Sequence, residues 1–321
     1  NDYGIYSVAV VTINVEGSFN GSLIYDGNQK VYTVHSVTPG VTVEFSYKYE
    51  QNTGTAESPN WVTLSEAPTY AGNYRVTYTS QNPNYTVSGA TYNFTIEKAT
   101  FNVTVSFNDS YTNEYDGKPY APTVNGLQDQ AKGIDGTELV VSYDNGITDV
   151  TSGTTFKAYL SLSDNTNYQL AVTQLTTKVI ITAKVVDITW VTDAFTYDGT
   201  DQSSKVTAYY LDVNGKQVPL AVTLTDGSFV NANTYTFSAA FATEDTGSSN
   251  YALPADVEKD FTIKPAEVDV TISHMQQVYT GEQFNTVDGV KDTNYTVSGD
   301  IFNGDDLEIT ITITDGATNV G

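Results

Sequence analysis

The sequence predicts an all-β protein, built as a tandem array of small antiparallel β-sandwich modules with an immunoglobulin-like fold. Three observations predict this architecture. The chain has 321 residues, which suits roughly three or four small domains better than one ordinary sandwich. Apolar and polar residues alternate along many short segments, with the period of two that is typical of strands. Three sequence markers also recur in the same order, which indicates a repeated structural unit.

The first marker is the tripeptide Tyr-Asp-Gly. Its successive tyrosines lie 90, 82 and 82 positions apart. We expect each Asp-Gly pair to form a turn and each tyrosine to anchor a strand end at the edge of a core. The copies are Tyr25-Asp26-Gly27, Tyr115-Asp116-Gly117 and Tyr197-Asp198-Gly199, with the variant Tyr279-Thr280-Gly281.

The second and third markers follow each Tyr-Asp-Gly in a fixed order. The second is Asn-Tyr, at Asn84-Tyr85, Asn167-Tyr168 and Asn250-Tyr251, with a variant at Asp2-Tyr3. We expect it to form a turn that leads into a strand. The third is a closing strand, at Phe94-Thr95-Ile96, Val179-Ile180-Ile181 and Phe261-Thr262-Ile263, with Val11-Thr12-Ile13 as a copy near the start.

These markers divide the chain into modules joined by very short links such as Glu97-Lys98-Ala99. Links of this length leave consecutive modules little freedom to reorient. The predicted divisions are 1–13 as the terminal strand of a preceding module, 14–98 as module 1, 99–184 as module 2, 185–265 as module 3 and 266–321 as an incomplete module 4.

An immunoglobulin-like sandwich is favoured over a β-grasp module, which is the alternative fold. A β-grasp module needs a helix of about 10 residues in each repeat. The only candidate, residues 127–138, is interrupted by Gly133 and Gly136, which disfavour a helix. Strand alternation is clearest where four apolar residues are separated by polar ones, at Phe101, Val103, Val105 and Phe107.

The ordered set of motifs resembles the MBG and YDG-type repeats of bacterial cell-surface proteins. The elements that carry the resemblance are Tyr-Asp-Gly, a Gly-X-Tyr strand such as Gly72-Asn73-Tyr74, Asn-Tyr and a terminal Phe-Thr-Ile. The fourth unit, with Asn303-Gly304-Asp305-Asp306-Leu307, is similar to the MBG form. The resemblance covers nearly the whole chain. It implies an extracellular location at the bacterial cell surface, in adhesin-like proteins where such repeats form the stalk, and it does not imply catalysis.

Composition excludes several classes of function. The formal net charge is -24, which repels phosphate backbones, so nucleic acid is not expected as a partner. No run of about 18 apolar residues occurs, so membrane insertion of this segment is not expected. The absence of cysteine removes disulfides and thiolate metal sites. The repeats share no recurring acid pair, so we predict no catalytic residues, no cofactor and no enzyme activity.

Calcium is the one cofactor that the sequence brings into consideration. Asp256, Glu258 and Asp260 alternate along the strand that leads to Phe261. Calcium requires six to eight converging oxygen ligands, whereas carboxylates two positions apart on a strand are about 7 Å apart. A solvated strand face is therefore the expectation, and calcium binding is the alternative.

The leading functional hypothesis is a non-catalytic stalk or spacer segment of a bacterial surface adhesin. Its expected partners are neighbouring repeats of the same or an identical chain. One alternative is a module that binds host glycans, mucin or host surface proteins. A second alternative is a filament subunit, in which the first residues of one chain complete the unfinished fourth module of the next by strand addition. The simpler expectation for both ends is a window on a longer chain.

Overall fold

The structure is a computed structural model that describes residues 8–243, 247–273, 278–282, 286–288, 292–302, 304–305, 307 and 309–312. These residues form strands, turns and three short 3-10 helices, and none of them lies in an α-helix. The predicted all-β sandwich fold is therefore confirmed. Residues 127–138, which would hold the helix of a β-grasp module, contain only the 3-10 helix Leu127–Asp129. The other 3-10 helices are Ser203–Lys205 and Ser248–Asn250.

The first module packs a four-stranded sheet, in the order β5-β4-β6-β8, with the separate antiparallel pair β2-β3. Tyr74, Val76 and Tyr78 point from β6 into its core. They alternate with more exposed residues because successive side chains on a strand point to opposite faces. The strands are β1 (Val11–Ile13), β2 (Val15–Phe19), β3 (Tyr32–Ser36), β4 (Phe45–Asn52), β5 (Trp61–Thr63), β6 (Gly72–Ser80), β7 (Tyr85–Val87) and β8 (Thr91–Ile96).

The second module contains a four-stranded sheet in the order β10-β14-β12-β11. Phe156, Ala158 and Leu160 of β12 are its buried centre. The strands are β9 (Ala99–Thr100), β10 (Ser110–Glu114), β11 (Leu139–Tyr143), β12 (Thr151–Leu162), β13 (Tyr168–Gln169) and β14 (Gln174–Thr182).

The third module contains a six-stranded sheet in the order β16-β18-β19-β20-β22-β17. Its two outermost strands, β16 and β17, both come from residues 189–196. Because three residues separate them in the chain, the sheet has to curve so that its two edges approach each other. The strands are β15 (Lys184–Val185), β16 (Thr189–Val191), β17 (Phe195–Thr196), β18 (Thr207–Leu211), β19 (Gln217–Leu224), β20 (Thr234–Phe241), β21 (Tyr251–Ala252) and β22 (Glu258–Lys264).

The described part of the fourth module consists of two antiparallel pairs. Strand β23 (Val268–Ile272) pairs with β25 (Tyr295–Gly299), and β24 (Thr286–Asp288) pairs with β26 (Thr310–Thr312). Val268 lies opposite Gly299 in the first pair. Tyr295 is its buried anchor.

The chain divides into two compact units. The first holds residues 1–113, 119–147 and 151–180, and the second holds residues 114–118, 148–150 and 181–321. Module 2 therefore contributes to both. In the first unit, one continuous apolar cluster contains buried residues of both module 1 and module 2.

The structure differs from the sequence prediction at residues 11–13. The prediction assigns Val11-Thr12-Ile13 to the closing strand of a preceding module, but β1 pairs in parallel with β7, so that Val11 lies opposite Tyr85. Strand β9 pairs with β13 in the same way. Ile13 is fully buried. Strand β1 is thus the opening strand of module 1. The sequence prediction misplaced it because an alternating pattern does not tell which strand of a repeat a segment forms. The remaining module boundaries stay predictions.

The alternating segment 101–107 has the burial pattern of a strand, but among the described residues its backbone pairs only at Phe101, whose N–H donates to the Gln169 carbonyl at 2.9 Å, and at Ser106. Phe101 and Val105 are buried, and Val103 and Phe107 are half-buried. Its one bridge joins Ser106 to Asn125. The period of two reflects an extended backbone next to a core, whether or not a neighbouring strand pairs with it.

Candidate functional site at the module junctions

The Tyr-Asp-Gly and Asn-Tyr motifs meet where one module follows another. We call the meeting of Tyr25-Asp26-Gly27 with Asn167-Tyr168 the first junction and that of Tyr115-Asp116-Gly117 with Asn250-Tyr251 the second junction. The first lies wholly within the first compact unit and the second wholly within the second unit.

Each Tyr-Asp-Gly forms a turn in which the aspartate side chain accepts a hydrogen bond from the backbone two residues on. The following glycine has a φ of 78°, 77° and 73° at positions 27, 117 and 199, a left-handed conformation that glycine adopts most easily. In the fourth copy the Thr280 hydroxyl takes the place of the carboxylate, 3.3 Å from the Glu282 nitrogen. The three aspartate pairs are Asp26 with the Asn28 N–H, Asp116 with the Lys118 N–H and Asp198 with the Thr200 N–H, each 2.9 Å.

The backbone holds each motif tyrosine beside the end of its own closing strand. The Tyr25 N–H donates to the Glu97 carbonyl at 2.9 Å, immediately after β8. The same bond joins Tyr115 to Thr182 at 2.9 Å and Tyr197 to Lys264 at 2.8 Å. This position places the tyrosine ring where the chain passes into the next module.

An edge-to-face pair of tyrosines forms the centre of both junctions. The rings of Tyr25 and Tyr168 are 5.4 Å apart at 85°, and those of Tyr115 and Tyr251 are 5.4 Å apart at 83°. Such a pair contributes about 0.5–1.5 kcal/mol beyond the burial of its surface. Tyr25 and Tyr168 are both buried.

Each junction also fixes a loop of the following module. The Ile134 N–H donates to the Tyr168 hydroxyl at 2.9 Å, and the Val213 N–H donates to the Tyr251 hydroxyl at 3.1 Å. The Ile134 side chain lies so close to Gly27 that an added Cβ there would be 2.9 Å from Cγ2. The corresponding distance from Gly117 to Val213 is 2.7 Å. At Gly27 and Gly117 the absence of a Cβ therefore permits this close approach, in addition to the left-handed φ.

In both junctions the asparagine of the Asn-Tyr motif accepts a hydrogen bond from a backbone N–H of the preceding module, a contact we call the asparagine clamp. In the first junction Asn167, which is 4% exposed, accepts from the Ala71 N–H at 3.0 Å and donates to Asp135 at 2.9 Å. In the second junction Asn250 accepts from the Val150 N–H at 2.8 Å and donates to Asp149 at 3.0 Å. Both buried amides thus have a donor and an acceptor as partners, as burial requires.

The electrostatics of the first junction follow from these contacts. Burial alone would raise the pKa of Asp135, but hydrogen bonds from Asn167 and Thr137 outweigh it and hold the pKa below its ordinary value. Burial raises the pKa of the Tyr25 hydroxyl, and the charge of Asp135 adds to the increase. The tyrosine therefore stays neutral beside an ionised aspartate.

The link between modules is itself part of the next module. Strand β9 pairs in parallel with β13, and the Ala99 N–H donates to the Asn167 carbonyl at 2.9 Å. Strand β15 pairs in the same way with β21. The link therefore carries ladder hydrogen bonds and does not act as a flexible hinge.

One cleft lies beside the first junction, and another lies where modules 3 and 4 meet. The first has a volume of about 490 Å³ and lies between Tyr70, Asp135, Asp164 and Asn167. The Tyr70 ring is 59% exposed there. A second cleft, of about 310 Å³, lies where modules 3 and 4 meet, and Tyr197 lines it. There the Tyr197 ring packs edge-to-face on Phe302 at 5.8 Å, and a hydrogen bond with Asp305 raises the pKa of its hydroxyl.

The structure does not bring the calcium candidates into a common site. Asp256 accepts a hydrogen bond from the Glu258 N–H at 3.2 Å, and Asp260 accepts one from the Thr236 hydroxyl at 2.7 Å. Within the described ranges, no three His, Cys, Asp or Glu side chains are grouped closely enough to hold a metal ion. Nor does any helix in that part of the chain have the length and apolar character needed to cross a bilayer.

Several junction residues could not be identified from the sequence. Ala71 and Val150 contribute only a backbone N–H, which every residue except proline has. Ile134 and Val213 lie in loops of different sequence. The recurring Asn-Tyr was the available signal, because its asparagine is the buried partner of these groups. The fourth motif differs from the others, since Tyr279 is 63% exposed.

No family model and no curated protein matches the sequence. Among solved structures, the chain is similar to the three N-terminal domains of the bacteriophage RB49 Highly Immunogenic Outer Capsid protein, at 12% identity, with 94% of each chain covered and a TM-score of 0.21. It is also similar to the Bacteroides ovatus mixed-linkage glucan utilization locus protein SGBP-B in complex with a mixed-linkage heptasaccharide, at 14% identity. That match covers 92% of this chain and 74% of that one, with a TM-score of 0.14. TM-scores this low carry no inference about function.

Proposed function

We propose that the chain is a non-catalytic spacer of interlocked β-sandwich modules, part of the stalk of a bacterial surface protein. The observation that carries the proposal is the repetition of one set of contacts at the first and second junctions. Each has the same tyrosine pair, the same asparagine clamp and the same paired link.

A spacer must keep its modules in a fixed order and orientation, and these contacts serve that purpose. A ladder-bonded link removes the freedom that a flexible linker gives. A buried amide that bonds across the junction adds about 1 kcal/mol or more, because separation would leave it without partners. Arrays of this kind gain stability from each interface between neighbours.

The acidic charge and the motif resemblance support a surface location. A formal net charge of -24 keeps neighbouring copies soluble and apart. The resemblance to MBG and YDG-type repeats favours an extracellular stalk at the bacterial cell surface. Location, family and the absence of enzyme activity are parts of the proposal.

The test is whether the asparagine clamp makes modules 1 and 2 move together. We expect backbone NMR relaxation of the full chain to give both modules one tumbling time. In Asn167→Ala the modules are expected to tumble more independently, and the Ala71 amide, which now bonds Asn167, is expected to exchange faster with solvent.

Asn84→Ala is the matched control, because Asn84 belongs to the same motif but is exposed. It should leave both the tumbling time and the Ala71 exchange rate unchanged. Independent tumbling of modules 1 and 2 in the unmodified chain would contradict the spacer proposal.

Binding of host glycans is the second candidate function, and the cleft beside the first junction favours it. The exposed Tyr70 ring offers an apolar face, and Asp135, Asp164 and Asn167 supply polar groups around it. Pockets that recognise small molecules combine such features.

A glycan array separates this candidate from the spacer. Binding that Tyr70→Ala abolishes and Tyr279→Ala leaves intact would establish the glycan-binding function, because both tyrosines are largely exposed and only Tyr70 lines the cleft. The spacer proposal expects no binding above background.

The filament alternative concerns residues 1–13 and the fourth module, residues 266–321. Residues 1–7 and 313–321 lie outside the described residues, and residues 11–13 pair with β7 of the same chain. It stays a hypothesis. Sedimentation of the purified chain at increasing concentration tests it, since a filament subunit has to associate and a spacer stays monomeric.

A further inference from the structure

The cleft where modules 3 and 4 meet is lined in part by residues that correspond to those around Asn167-Tyr168 in the first junction. Module 3 and the link contribute Tyr197, Asn231, Ala232, Pro265 and Ala266. The loop before β26 adds Asp305.

Hydrogen bonds establish which residues of modules 1 and 3 correspond. The Tyr25 N–H bonds to Glu97 and the Tyr197 N–H bonds to Lys264, so that Ala266, two residues later, corresponds to Ala99. The Tyr74 hydroxyl donates to the Tyr70 carbonyl, and the Tyr235 hydroxyl donates to the Asn231 carbonyl. By this second match Ala232 corresponds to Ala71.

The corresponding groups of the first junction all bind one short strand. The Ala71 N–H donates to the Asn167 side chain, and the Ala99 N–H donates to its carbonyl. The Tyr25 ring packs against Tyr168. In the second junction the Val150 N–H likewise donates to the Asn250 side chain, and the Tyr115 ring packs against Tyr251.

From this correspondence we infer that the cleft is a socket for an extended Asn-Tyr strand supplied by a repeat of the same type. In the socket the asparagine side chain accepts from the Ala232 N–H and its carbonyl accepts from the Ala266 N–H. The tyrosine ring takes the place that Phe302 has against Tyr197. Asp305, which bonds the Tyr197 hydroxyl in this structure, accepts from the asparagine amide, as Asp135 does in the first junction. The inference rests on the proposed spacer function, and it names the Asn-Tyr strand as the segment through which a further repeat joins module 3.

A strand is the occupant that the geometry favours over a sugar or an ion. Ala266 belongs to the link between β22 and β23, and neither it nor Ala232 forms a ladder with any residue in the described ranges. Backbone groups of this kind recognise an added strand through main-chain hydrogen bonds, while a side-chain pocket gives specificity.

The test uses the full chain and a synthetic peptide with the sequence of residues 163–171, Ser-Asp-Asn-Thr-Asn-Tyr-Gln-Leu-Ala. We expect saturable binding in the millimolar range by NMR titration, with shifts at Tyr197, Ala232 and Ala266. Affinity of this order suffices for a tethered repeat, whose effective concentration is also on the order of millimolar. A peptide with Ala-Ala in place of Asn-Tyr is expected to bind about tenfold more weakly.

Chain variants locate the binding. Tyr197→Ala is expected to weaken peptide binding about fivefold or more, through loss of the aromatic pair. Tyr279→Ala, at an exposed tyrosine of the same motif, is the matched control and should leave the affinity unchanged. Circular dichroism verifies that both variants are folded.

Equal binding of the two peptides, binding unaffected by Tyr197→Ala, or no binding by a folded chain at several times millimolar peptide would overturn the socket. Such a result leaves the relaxation experiment on Asn167→Ala unaffected. Failure of the socket and failure of the spacer proposal are therefore distinguishable.

Discussion

The first and second junctions differ in the origin of one carboxylate. Asn167 donates to Asp135, which belongs to its own module, whereas Asn250 donates to Asp149, which belongs to the preceding module. The two tyrosine pairs nevertheless have the same spacing of 5.4 Å and nearly the same angle. The asparagine and the tyrosines are therefore the fixed parts of a junction, and the source of the acceptor is interchangeable.

The physical reason lies in what a buried amide requires. Its nitrogen must donate to some acceptor, because an unpaired buried polar group costs about 1–3 kcal/mol. Any carboxylate that reaches it from either side meets this requirement. The backbone N–H of Ala71 or Val150, by contrast, is fixed in place by the strand that follows it, β6 or β12.

The largest expected effect comes from removing the second tyrosine of each pair. Tyr168→Ala and Tyr251→Ala should each lower the free energy of unfolding by about 3–4 kcal/mol, since a buried ring and its hydrogen bond are lost. The chain has two tryptophans, Trp61 in the first unit and Trp190 in the second. Urea unfolding followed in Trp190→Phe and Trp61→Phe backgrounds assigns each loss to its own unit.

Tyr279→Ala is the control for this pair of changes and should cost less than about 0.5 kcal/mol, because the side chain is exposed. A large loss for one junction and none for the other would show that the two tyrosine pairs are not equivalent.

The carboxylates provide the next test of the comparison. Asp135→Ala should cost about 2 kcal/mol and Asp149→Ala about 1 kcal/mol. Both changes remove a carboxylate that accepts from an asparagine amide. Asn250 keeps a hydrogen bond with the Tyr115 side chain, whereas Asp135 additionally accepts from the Thr137 N–H at 3.0 Å. Urea unfolding with the two tryptophan reporters measures both. A greater cost for Asp149→Ala would reverse this ranking.

A comparison of two glycine substitutions isolates a smaller effect, the close approach of the motif glycine to Ile134. Gly27→Ala should cost about 1–2 kcal/mol for its left-handed φ, plus about 1 kcal/mol for contact with Ile134. Gly40→Ala is the matched control, because Gly40 has a φ of 74° and open space around it. The difference between the two free energies of unfolding isolates the contact. Adding Ile134→Ala should remove that difference, and a difference that persists would argue against the contact.

Acid provides the smallest effect. The pKa of Asp135 is lower in the folded chain than its ordinary value of 3.8, so its ionised form stabilises the fold at pH above 3.8. That contribution is lost as the pH falls through the folded pKa. Arg75 and then Lys48 lower the pKa of Glu50 to about 2, so module 1 is also destabilised in acid. Asp135→Asn should therefore show a shallower loss of stability between pH 4 and pH 2 than the unmodified chain. If stability falls equally steeply with pH in both proteins, groups other than Asp135 cause the acid sensitivity.

Sequence patterns predicted the fold class and the motif positions, but not the contacts that join them. The alternation at Phe101 to Phe107 correctly indicated burial, because the period of two depends only on an extended backbone next to a core. The same alternation could not place Val11–Ile13, since opening and closing strands share it. The Tyr-Asp-Gly tyrosine was expected at a core edge, and the structure adds that its ring meets the following module.

The sequence by itself determined that this protein is made of β-strands, that its motifs recur in order, and where the Tyr-Asp-Gly turns occur. These properties depend on neighbouring residues and on local periodicity. Only the tertiary structure decided that Tyr25 meets Tyr168, that Asn167 clamps Ala71 and that the link at Ala99 becomes a strand. Those contacts join residues far apart in the chain through rings and backbone groups whose partners depend on how complete modules pack.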